Sequence, residues 1–267
     1  MTGSSSFELS QEIGEPLTGR KKTITLYPFS QSELLALYNK YELKEKLEDF
    51  LIFGSYPDVV LAKSKEEKIA LLNELVDSYL LKDILKLDKI KFSKKLLNLL
   101  KLLAFQVGSL VSLNELAQKV SLDVKTVDRY LDILEKGFVI KSLSGFSRNM
   151  RNEINTKSKY YFLDNGIRNA LISQFNSLDN RDDIGALFEN FLVIEKIKKD
   201  NLVNNYYFWR NYEGKEIDLI EDRDGKIYAS EFKWNKVKNK LPKDFLDNYD
   251  NVEFNSVNRD NYLDFII

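Results

Sequence analysis

The sequence predicts an α+β protein built from several domains, and three observations support this prediction. Apolar residues recur at helical spacing from about residue 31 to residue 136. Two strand-like segments, 138–143 and 158–163, follow these helices, and the last part of the chain places one helix before three strands. We expect four units, which cover residues 1–30, 31–91, 92–181 and 182–267, and we expect the last to be an α/β unit with a mixed sheet.

The composition excludes several kinds of site. The 267 residues include no cysteine and no histidine, which rules out disulfides, thiolate or imidazole metal sites and histidine-dependent nucleophilic catalysis. Chemistry must therefore come from carboxylates, Lys, Arg, Tyr or hydroxyl groups. The formal net charge is −1, so only local patches can indicate a nucleic-acid partner. Without a signal peptide or an apolar run of about 20 residues, we expect a cytoplasmic protein with no membrane partner.

The first two units differ in how complete they are. The segment 22–29 alternates like a strand that ends at Pro28, but no neighbouring strand is evident, so residues 1–30 are expected to belong to something larger. Residues 31–91 are expected to be helical. Ser32 is the expected cap of the first helix, and a longer helix is expected over 66–87.

The third unit has the layout of a winged helix-turn-helix. An apolar helix ends at Gly108, and a second helix begins at Ser112, with Glu115 in capping-box position. A third helix spans 124–136 and is followed by two strands that flank a polar loop. Three short helices and a hairpin in this order are typical of a winged helix.

The winged helix suggests a nucleic-acid partner. On the third helix, Lys125 and Arg129 are candidate DNA contacts, although Asp128 and Asp132 interrupt the positive face. The loop 144–159 is more basic, and its candidate contacts are Arg148, Arg151, Lys157 and Lys159. Such a loop suits phosphate contacts, so we expect weak, salt-sensitive DNA binding with little dependence on base sequence. The alternative is a module that packs between domains and binds a partner protein or a second copy of the chain.

The fourth unit places charged residues inside apolar strands. The turn 222–225 joins two strands as a hairpin, and Asp218, Glu231 and Lys233 lie within those strands. Strand alternation allows these three side chains to converge. Two close carboxylates stay ionised when a cation neutralises them, and Mg²⁺ or Mn²⁺ suits such a pair. The alternative is that both acids are solvated and pair with Lys233 and Lys215.

Two further residues can join this group. Glu189 is the one charged residue in the apolar run 185–194, and charged residues are rarely buried without a partner or a metal ion. Glu189 is therefore a third candidate metal ligand. Arg210 is a candidate phosphate contact, or alternatively an edge-strand arginine paired with Glu216 or Glu221.

These residues resemble the PD-(D/E)xK nuclease superfamily. The matching positions are the helix acid Glu189, Asp218 on the second strand, and Glu231, Phe232 and Lys233 on the third. The resemblance implies a restriction-endonuclease-like domain with metal-dependent phosphodiesterase activity. It also implies that Asp218 and Glu231 are metal ligands, Lys233 is the catalytic lysine and Glu189 is an auxiliary ligand.

The whole chain resembles a family of prokaryotic AAA-superfamily ATPases, which carry a P-loop ATPase, a winged helix and a C-terminal domain related to nuclease folds. The matching segments, in order, are TGSSSFEL, LTGRKKTITLYPFSQSEL, FGSYPDVV, YLLKDIL, SKYYFLDNGIRNAL, ALFENFLVIEKIK, FWRNYEGKEIDLI and SEFKW. The resemblance implies that Ser4 is a sensor residue and Arg20 a nucleotide-facing arginine. No G-x-x-x-x-G-K-[ST] motif is present, so we expect ATP to be a ligand of a complete protein only and this chain alone not to hydrolyse it.

Two hypotheses about function follow. In the first, the chain is a Mg²⁺-dependent nuclease-like phosphodiesterase that the winged helix brings to DNA. In the second, it is a catalytically inactive nuclease-fold module that binds DNA or a partner protein. The complete set of Glu189, Asp218, Glu231 and Lys233 favours the first hypothesis.

Overall fold

The computed structural model describes residues 24–77, 93–147, 157–199, 205–237 and 240–267, without the side chain of Ser93. It shows a mixed α/β architecture, which agrees with the predicted combination of helices and a mixed sheet. The predictions for Ser4, Arg20, Arg148 and Arg151 lie outside the described residues, as does most of the segment 76–87 of the expected long helix.

Short helices form the first described segment: α1 Gln31–Leu34, α2 Lys40–Glu45, α3 Leu47–Phe53, α4 Pro57–Leu61 and α5 Lys65–Leu75. Ser30, not Ser32, caps α1, because its hydroxyl accepts the backbone N–H of Glu33 while the Glu33 carboxylate accepts that of Ser30. Residues 24–29 form no strand, so the strand predicted over 22–29 is wrong in its described part. The side chain of Leu26 is 91% exposed, and no strand lies beside this segment to pair with it.

The next segment has the predicted order: α6 Ser93–Phe105, β1 Leu110–Val111, α7 Leu113–Val120, α8 Val124–Lys136, β2 Ile140–Gly145 and β3 Ser158–Phe162. The helix predicted over 124–136 is confirmed as α8. Its first turn is capped by Asp123, whose carboxylate accepts the backbone N–H of Thr126 at 2.9 Å. Strands β1 and β2 each pair antiparallel with β3.

The remaining elements are α9 Asn165–Leu171, a 3₁₀ turn at Leu178–Asn180, α10 Ile184–Lys199, β4 Asn205–Arg210, β5 Glu216–Arg223, β6 Lys226–Phe232, α11 Lys243–Leu246, β7 Val252–Val257 and α12 Tyr262–Ile266. Asp224 and Gly225 form the predicted tight turn between β5 and β6, and both have positive φ, 51° and 76°. The sequence YLDFII, residues 262–267, predicts a closing strand, and this prediction is wrong because the segment forms α12. Tyr262, Leu263 and Ile266 bury their side chains at helical spacing in α12.

One seven-stranded mixed sheet joins the third and fourth predicted units, in the order β1-β3-β2-β4-β5-β6-β7. The connection is a short parallel pairing of β2 with β4, through Ser144 with Tyr207 and Gly145 with Phe208. The hairpin β5–β6 is antiparallel, and β7 pairs parallel to β6. The predicted boundary at residue 181 therefore falls in a loop, but the sheet continues across it.

Helix α10 contacts β3, β6 and α12 and supplies much of the main core. Phe188, Leu192 and Val193 of this helix are fully buried there. A smaller apolar cluster surrounds Phe245 and includes Trp209. Among the described helices, none is both long enough and apolar enough to cross a membrane.

A buried polar joint connects the segment after α3 to the N-terminus of α9. The Asp164 carboxylate accepts the backbone N–H of Ser55 at 2.7 Å, and Asn169 donates to the carbonyl oxygen of Ile52 at 2.8 Å. Gly54 has φ 72°, and a Cβ atom there would overlap the Asp164 carboxylate. Two of the segments quoted above, FGSYPDVV and SKYYFLDNGIRNAL, therefore hold the fold together at this joint.

Candidate functional site

The hairpin β5–β6 opens at the position of the predicted acids. Backbone pairing between the two strands ends at Leu219 with Ser230. Beyond that pair, Oδ2 of Asp218 accepts the backbone N–H of Phe232 at 2.8 Å, so the side chain takes the place of a backbone acceptor. Asp218 is only 5% exposed. The alternative of a solvated Asp218 is therefore wrong.

The three predicted hairpin residues meet at one ammonium group. Nζ of Lys233 lies 2.7 Å from Oε1 of Glu231 and 3.9 Å from Oδ2 of Asp218. Lys215, named in the alternative, pairs instead with Glu213 at 2.8 Å. The sequence thus correctly predicted that Asp218, Glu231 and Lys233 converge.

Glu189 is held mainly by β3. Its Oε1 accepts from Nζ of Lys159 at 3.0 Å and from the hydroxyl of Tyr161 at 2.7 Å. Gly108, with φ 72°, lets the backbone pass close by, since a Cβ atom there would lie 3.1 Å from Oε1 of Glu189. Two side chains of one strand therefore fix the carboxylate that projects from α10.

The DNA-contact prediction for Lys159 is wrong. This lysine is 1% exposed and forms ion pairs with Glu189 and Glu216, and its Nζ lies 5.6 Å from the ring centre of Phe208. An ammonium group that is buried between two carboxylates cannot reach a phosphate outside the protein. The signal in the sequence is a lysine within the otherwise aromatic strand KYYF, two residues before Tyr161 and so on the same face of β3.

Arg210 forms an ion pair with Glu216, as the alternative to a phosphate contact predicted. Its Nη1 lies 3.0 Å from Oε2 of Glu216, and its side chain is 42% exposed. Glu216 therefore links Arg210 at the surface to Lys159 in the interior. The sequence reasoning named Glu216 as a partner of Arg210, but it missed Lys159 and Tyr161 as members of this cluster.

The carboxylates of the cluster have raised pKa values. Burial raises the pKa of Glu189 to about 7. The positive charge of Lys159 opposes this rise, and the negative charge of Asp218 adds to it. Burial also raises the pKa of Asp218, against the positive charges of Lys159 and Lys233. Burial raises the pKa of Glu231 as well, and the charge of Asp218 adds to it. Burial is therefore the main reason that these three carboxyl groups hold their protons more tightly than usual.

The ammonium groups are held in the charged form. Burial alone lowers the pKa of Lys159, but the negative charges of Glu189 and Glu216 outweigh it and raise that pKa above its usual value. The pKa of Lys233 is raised in the same way: burial lowers it, and the carboxylates of Glu231 and Asp218 more than compensate. Both lysines thus act as cations of the cluster.

The donor chemistry suits a hard divalent cation at one place. Within the described residues, no three or more acidic side chains are grouped so that they could hold a metal ion. Asp218 and Glu231 form a pair of neighbouring carboxylates, and Mg²⁺ is commonly bound by one or two carboxylates together with water and substrate phosphate. These two residues fit such an ion, since the ammonium group that pairs with Glu231 belongs to the half-exposed Lys233, whereas Glu189 is engaged by the buried Lys159.

The other candidate DNA contacts that the structure describes lie on α8 and just before β3. Lys125, Arg129 and Lys157 are exposed, and the guanidinium carbon of Arg129 lies 5.6 Å from the ring centre of Tyr130. Asp132, one of the acids that interrupt the helix face, pairs with Lys136 at 2.7 Å. The described basic surface of this segment is therefore smaller than the sequence predicted, because Lys159 does not belong to it.

Three uncharacterized proteins are similar to most of this chain. One from Haemophilus influenzae is 28% identical over 229 residues, which cover 82% of this chain and 55% of that protein. Rv2008c from Mycobacterium tuberculosis is 26% identical and covers 86% of this chain and 51% of its own length. MJ1544 from Methanocaldococcus jannaschii is 25% identical, with shares of 82% and 52%. The chain thus spans about half the length of the curated relatives it matches. No solved structure matches it.

Three family profiles match consecutive parts of the chain. Residues 1–35 match an AAA domain, residues 44–178 match the domain of unknown function DUF8612, and residues 184–261 match the domain of unknown function DUF4143. The first and last matches are those of an AAA-associated, ATPase-like protein. Because the DUF8612 profile spans half of the chain, the protein belongs to the DUF8612 family.

Proposed function

We propose that the cluster at the open end of the β5–β6 hairpin hydrolyses phosphodiester bonds of nucleic acid with the help of Mg²⁺ or Mn²⁺. The observation that carries this proposal is the convergence of Asp218, Glu231 and Lys233, with Glu189 beside them on α10. The order of α10, β4, β5 and β6 is that of a PD-(D/E)xK core, which supports the same reading.

Asp218 and Glu231 would hold the divalent ion. A bound ion of this type lowers the pKa of a coordinated water and offsets the charge that develops on a phosphate under attack. The Phe232 N–H fixes the Asp218 carboxylate, so this ligand does not depend on a flexible side-chain geometry. Lys233 is the catalytic lysine of the proposal: its 44% exposed ammonium group can orient the attacking water or stabilise negative charge on the phosphate.

The segment from α6 to β3 supports a nucleic-acid partner. Its order of helix, strand, two helices and two strands, with β1 and β2 paired to β3, supports the proposed winged helix. Lys125 and Arg129 on α8 and Lys157 before β3 are exposed and can contact phosphate groups. Such contacts position a duplex without reading its bases, so the proposed binding is weak and independent of sequence.

The AAA match supports a role for ATP in a longer protein. We propose that ATP binds where such a protein also carries a P-loop and that it controls the activity of the parts described above. The present sequence has no P-loop motif, so the pure chain is expected to give no ATP hydrolysis. Stoichiometric turnover of ATP by the pure chain would contradict this part of the proposal.

Plasmid nicking tests the enzymatic proposal. The chain is incubated with supercoiled plasmid and Mg²⁺ or Mn²⁺, with EDTA as the blank. Asp218→Asn and Lys233→Met should abolish nicking, and Asp218→Asn should also abolish the rise in melting temperature that the metal ion produces. Lys215→Met is the matched control, because Lys215 is an exposed lysine close by that pairs with Glu213, and it should nick like the wild type. Nicking that survives Asp218→Asn would refute the assignment.

The second candidate function is that of a nuclease-fold module that binds DNA or a partner protein without cleaving it. The specific observation in its favour is Lys159, which engages Glu189 and so removes one acid from the set that a metal ion would use. DNA binding by the wild type, with no nicking under any divalent ion, would favour this candidate over the first.

A further inference from the structure

Lys159 enters the acid cluster from outside the hairpin that carries Asp218 and Glu231. It lies on β3, and β3 is joined to the hairpin only through β2 and β4 in the order of the sheet. Its ammonium group forms ion pairs with Glu189 of α10 and Glu216 of β5, and the side chain is 1% exposed. The structure therefore brings together charges from three separate elements.

Both carboxylate partners of Lys159 also accept from a second protein donor. A buried ammonium group is tolerated only when carboxylates and hydrogen bonds compensate for the lost water. Glu189 receives both Lys159 and the Tyr161 hydroxyl on the same oxygen atom. Glu216 receives Lys159 on one oxygen and Arg210 on the other. Asp218 also feels the charge of Lys159, but the ammonium group nearest to Asp218 and Glu231 among their ion pairs is that of the half-exposed Lys233.

We propose that Lys159 is a positioning residue of the candidate site, which neutralises Glu189 and Glu216 and leaves Asp218 and Glu231 as the pair that takes a divalent cation. This inference rests on the proposed function, because it treats those two carboxylates as cation ligands. It reassigns Glu189: the residue serves as the partner of Lys159 and not as a metal ligand in the wild-type protein.

The proposal makes a counterintuitive prediction about metal affinity. Without the Lys159 ammonium group, Glu189 loses its cation and becomes a third carboxyl group near Asp218 that no lysine engages. A third carboxylate then becomes available to a cation, and affinity for divalent ions rises with the charge of the ligand set, here by about tenfold. Removing Glu189 from the wild-type protein should change that affinity by less than about twofold, because Lys159 already occupies it.

The experiment follows thermal unfolding of the full chain during titration with Mn²⁺. The half-saturating concentration is measured for the wild type, Lys159→Met, Glu189→Gln and the double variant. Lys157→Met is the matched control, since Lys157 is an exposed lysine two residues earlier in the chain. We expect Lys159→Met to bind Mn²⁺ more tightly and the double variant to return to the wild-type value. Lys157→Met and Glu189→Gln should both match the wild type.

The proposal is overturned if Lys159→Met binds Mn²⁺ no more tightly than the wild type, or if adding Glu189→Gln does not reverse the gain. If Lys159→Met is destabilised, its stability relative to the double variant still tests the proposal. In EDTA, above the pH at which Glu189 of Lys159→Met ionises, the double variant must melt at a higher temperature than Lys159→Met, because it no longer buries an unpaired carboxylate; equal or lower stability overturns the proposal as well.

The two proposals fail in different ways. If the wild type nicks plasmid but Lys159→Met leaves Mn²⁺ binding unchanged, the role of Lys159 is wrong and the phosphodiesterase proposal stands. If Lys159→Met tightens Mn²⁺ binding but no variant nicks plasmid, the enzymatic proposal fails and the role of Lys159 stands.

Discussion

The pKa of Glu189 makes a specific prediction about how stability depends on pH. In the folded protein this pKa is raised from 4.5 to about 7. An acid whose pKa is higher in the folded state stabilises the fold while it is protonated. The contribution is fully present below pH 4.5 and is lost as the pH rises through about 7. The metal-free protein should therefore become less stable across this interval.

The size of the effect follows from the shift itself. Each pKa unit corresponds to about 1.4 kcal/mol, so the shift of Glu189 is worth about 3 kcal/mol between the two ends of the interval. For a chain of this length, 1 kcal/mol moves the melting temperature by about 2–4 °C, which gives about 6–12 °C in total. Glu189→Gln cannot titrate, and its amide oxygen can still accept from Lys159 and Tyr161. The variant should lose this part of the pH dependence.

The assay is thermal unfolding in EDTA at several pH values between 4.5 and 8, for the wild type and Glu189→Gln. EDTA is needed because a bound cation would itself stabilise the ionised cluster. Glu253→Gln is the control, since Glu253 is an exposed glutamate that pairs with Lys226 at 2.7 Å. Identical pH dependence in the wild type and Glu189→Gln would refute the reasoning, because Asp218 and Glu231 would then account for the entire slope.

Two further predictions concern the buried joint and the basic surface. Gly54→Ala should lower the free energy of unfolding by about 2–5 kcal/mol in a denaturant titration, because it adds backbone strain at positive φ and displaces the Asp164 carboxylate. Gly185→Ala is the control. A Cβ atom there meets no neighbouring atom, so this variant should be neutral or slightly stabilising. Lys125→Gln and Lys157→Gln should weaken binding to unrelated duplexes equally, and each should reduce the slope of log K against log salt by about 1; a loss confined to one DNA sequence would argue against pure phosphate contacts.

Local features of the sequence predicted the elements that hold the site. The Asp-Gly turn at 224–225 fixed the hairpin, and the hairpin brought Asp218 towards Glu231 and Lys233. Helical periodicity located α8 because its apolar residues repeat over more than three turns. These predictions succeeded because the interactions concerned join residues that are close in the chain.

The sequence did not predict contacts between residues that are far apart in the chain. The parallel pairing of Ser144 with Tyr207 has no local signal, so the continuity of the sheet was not predicted. The alternation of β3 indicates that Lys159 and Tyr161 share a face, but not that Glu189 covers that face. The strand KYYF places Lys159 on a strand face, but alternation alone does not tell whether that face is solvated or covered by a helix. The short apolar run of α12 is likewise ambiguous between strand and helix.

The position of Lys159 also links the two candidate activities of the chain. Lys157 is exposed on the proposed nucleic-acid surface, and Lys159, two residues later, neutralises Glu189 and Glu216. A displacement of β3 along its own direction would therefore change the counterion of the acid cluster at the same time as the basic surface. The antiparallel pairing of β3 with β2, through four residue pairs, limits such a displacement. Under the proposed function, nucleic acid bound at Lys157 would therefore act on Glu189 and Glu216 through a strand that is held in register.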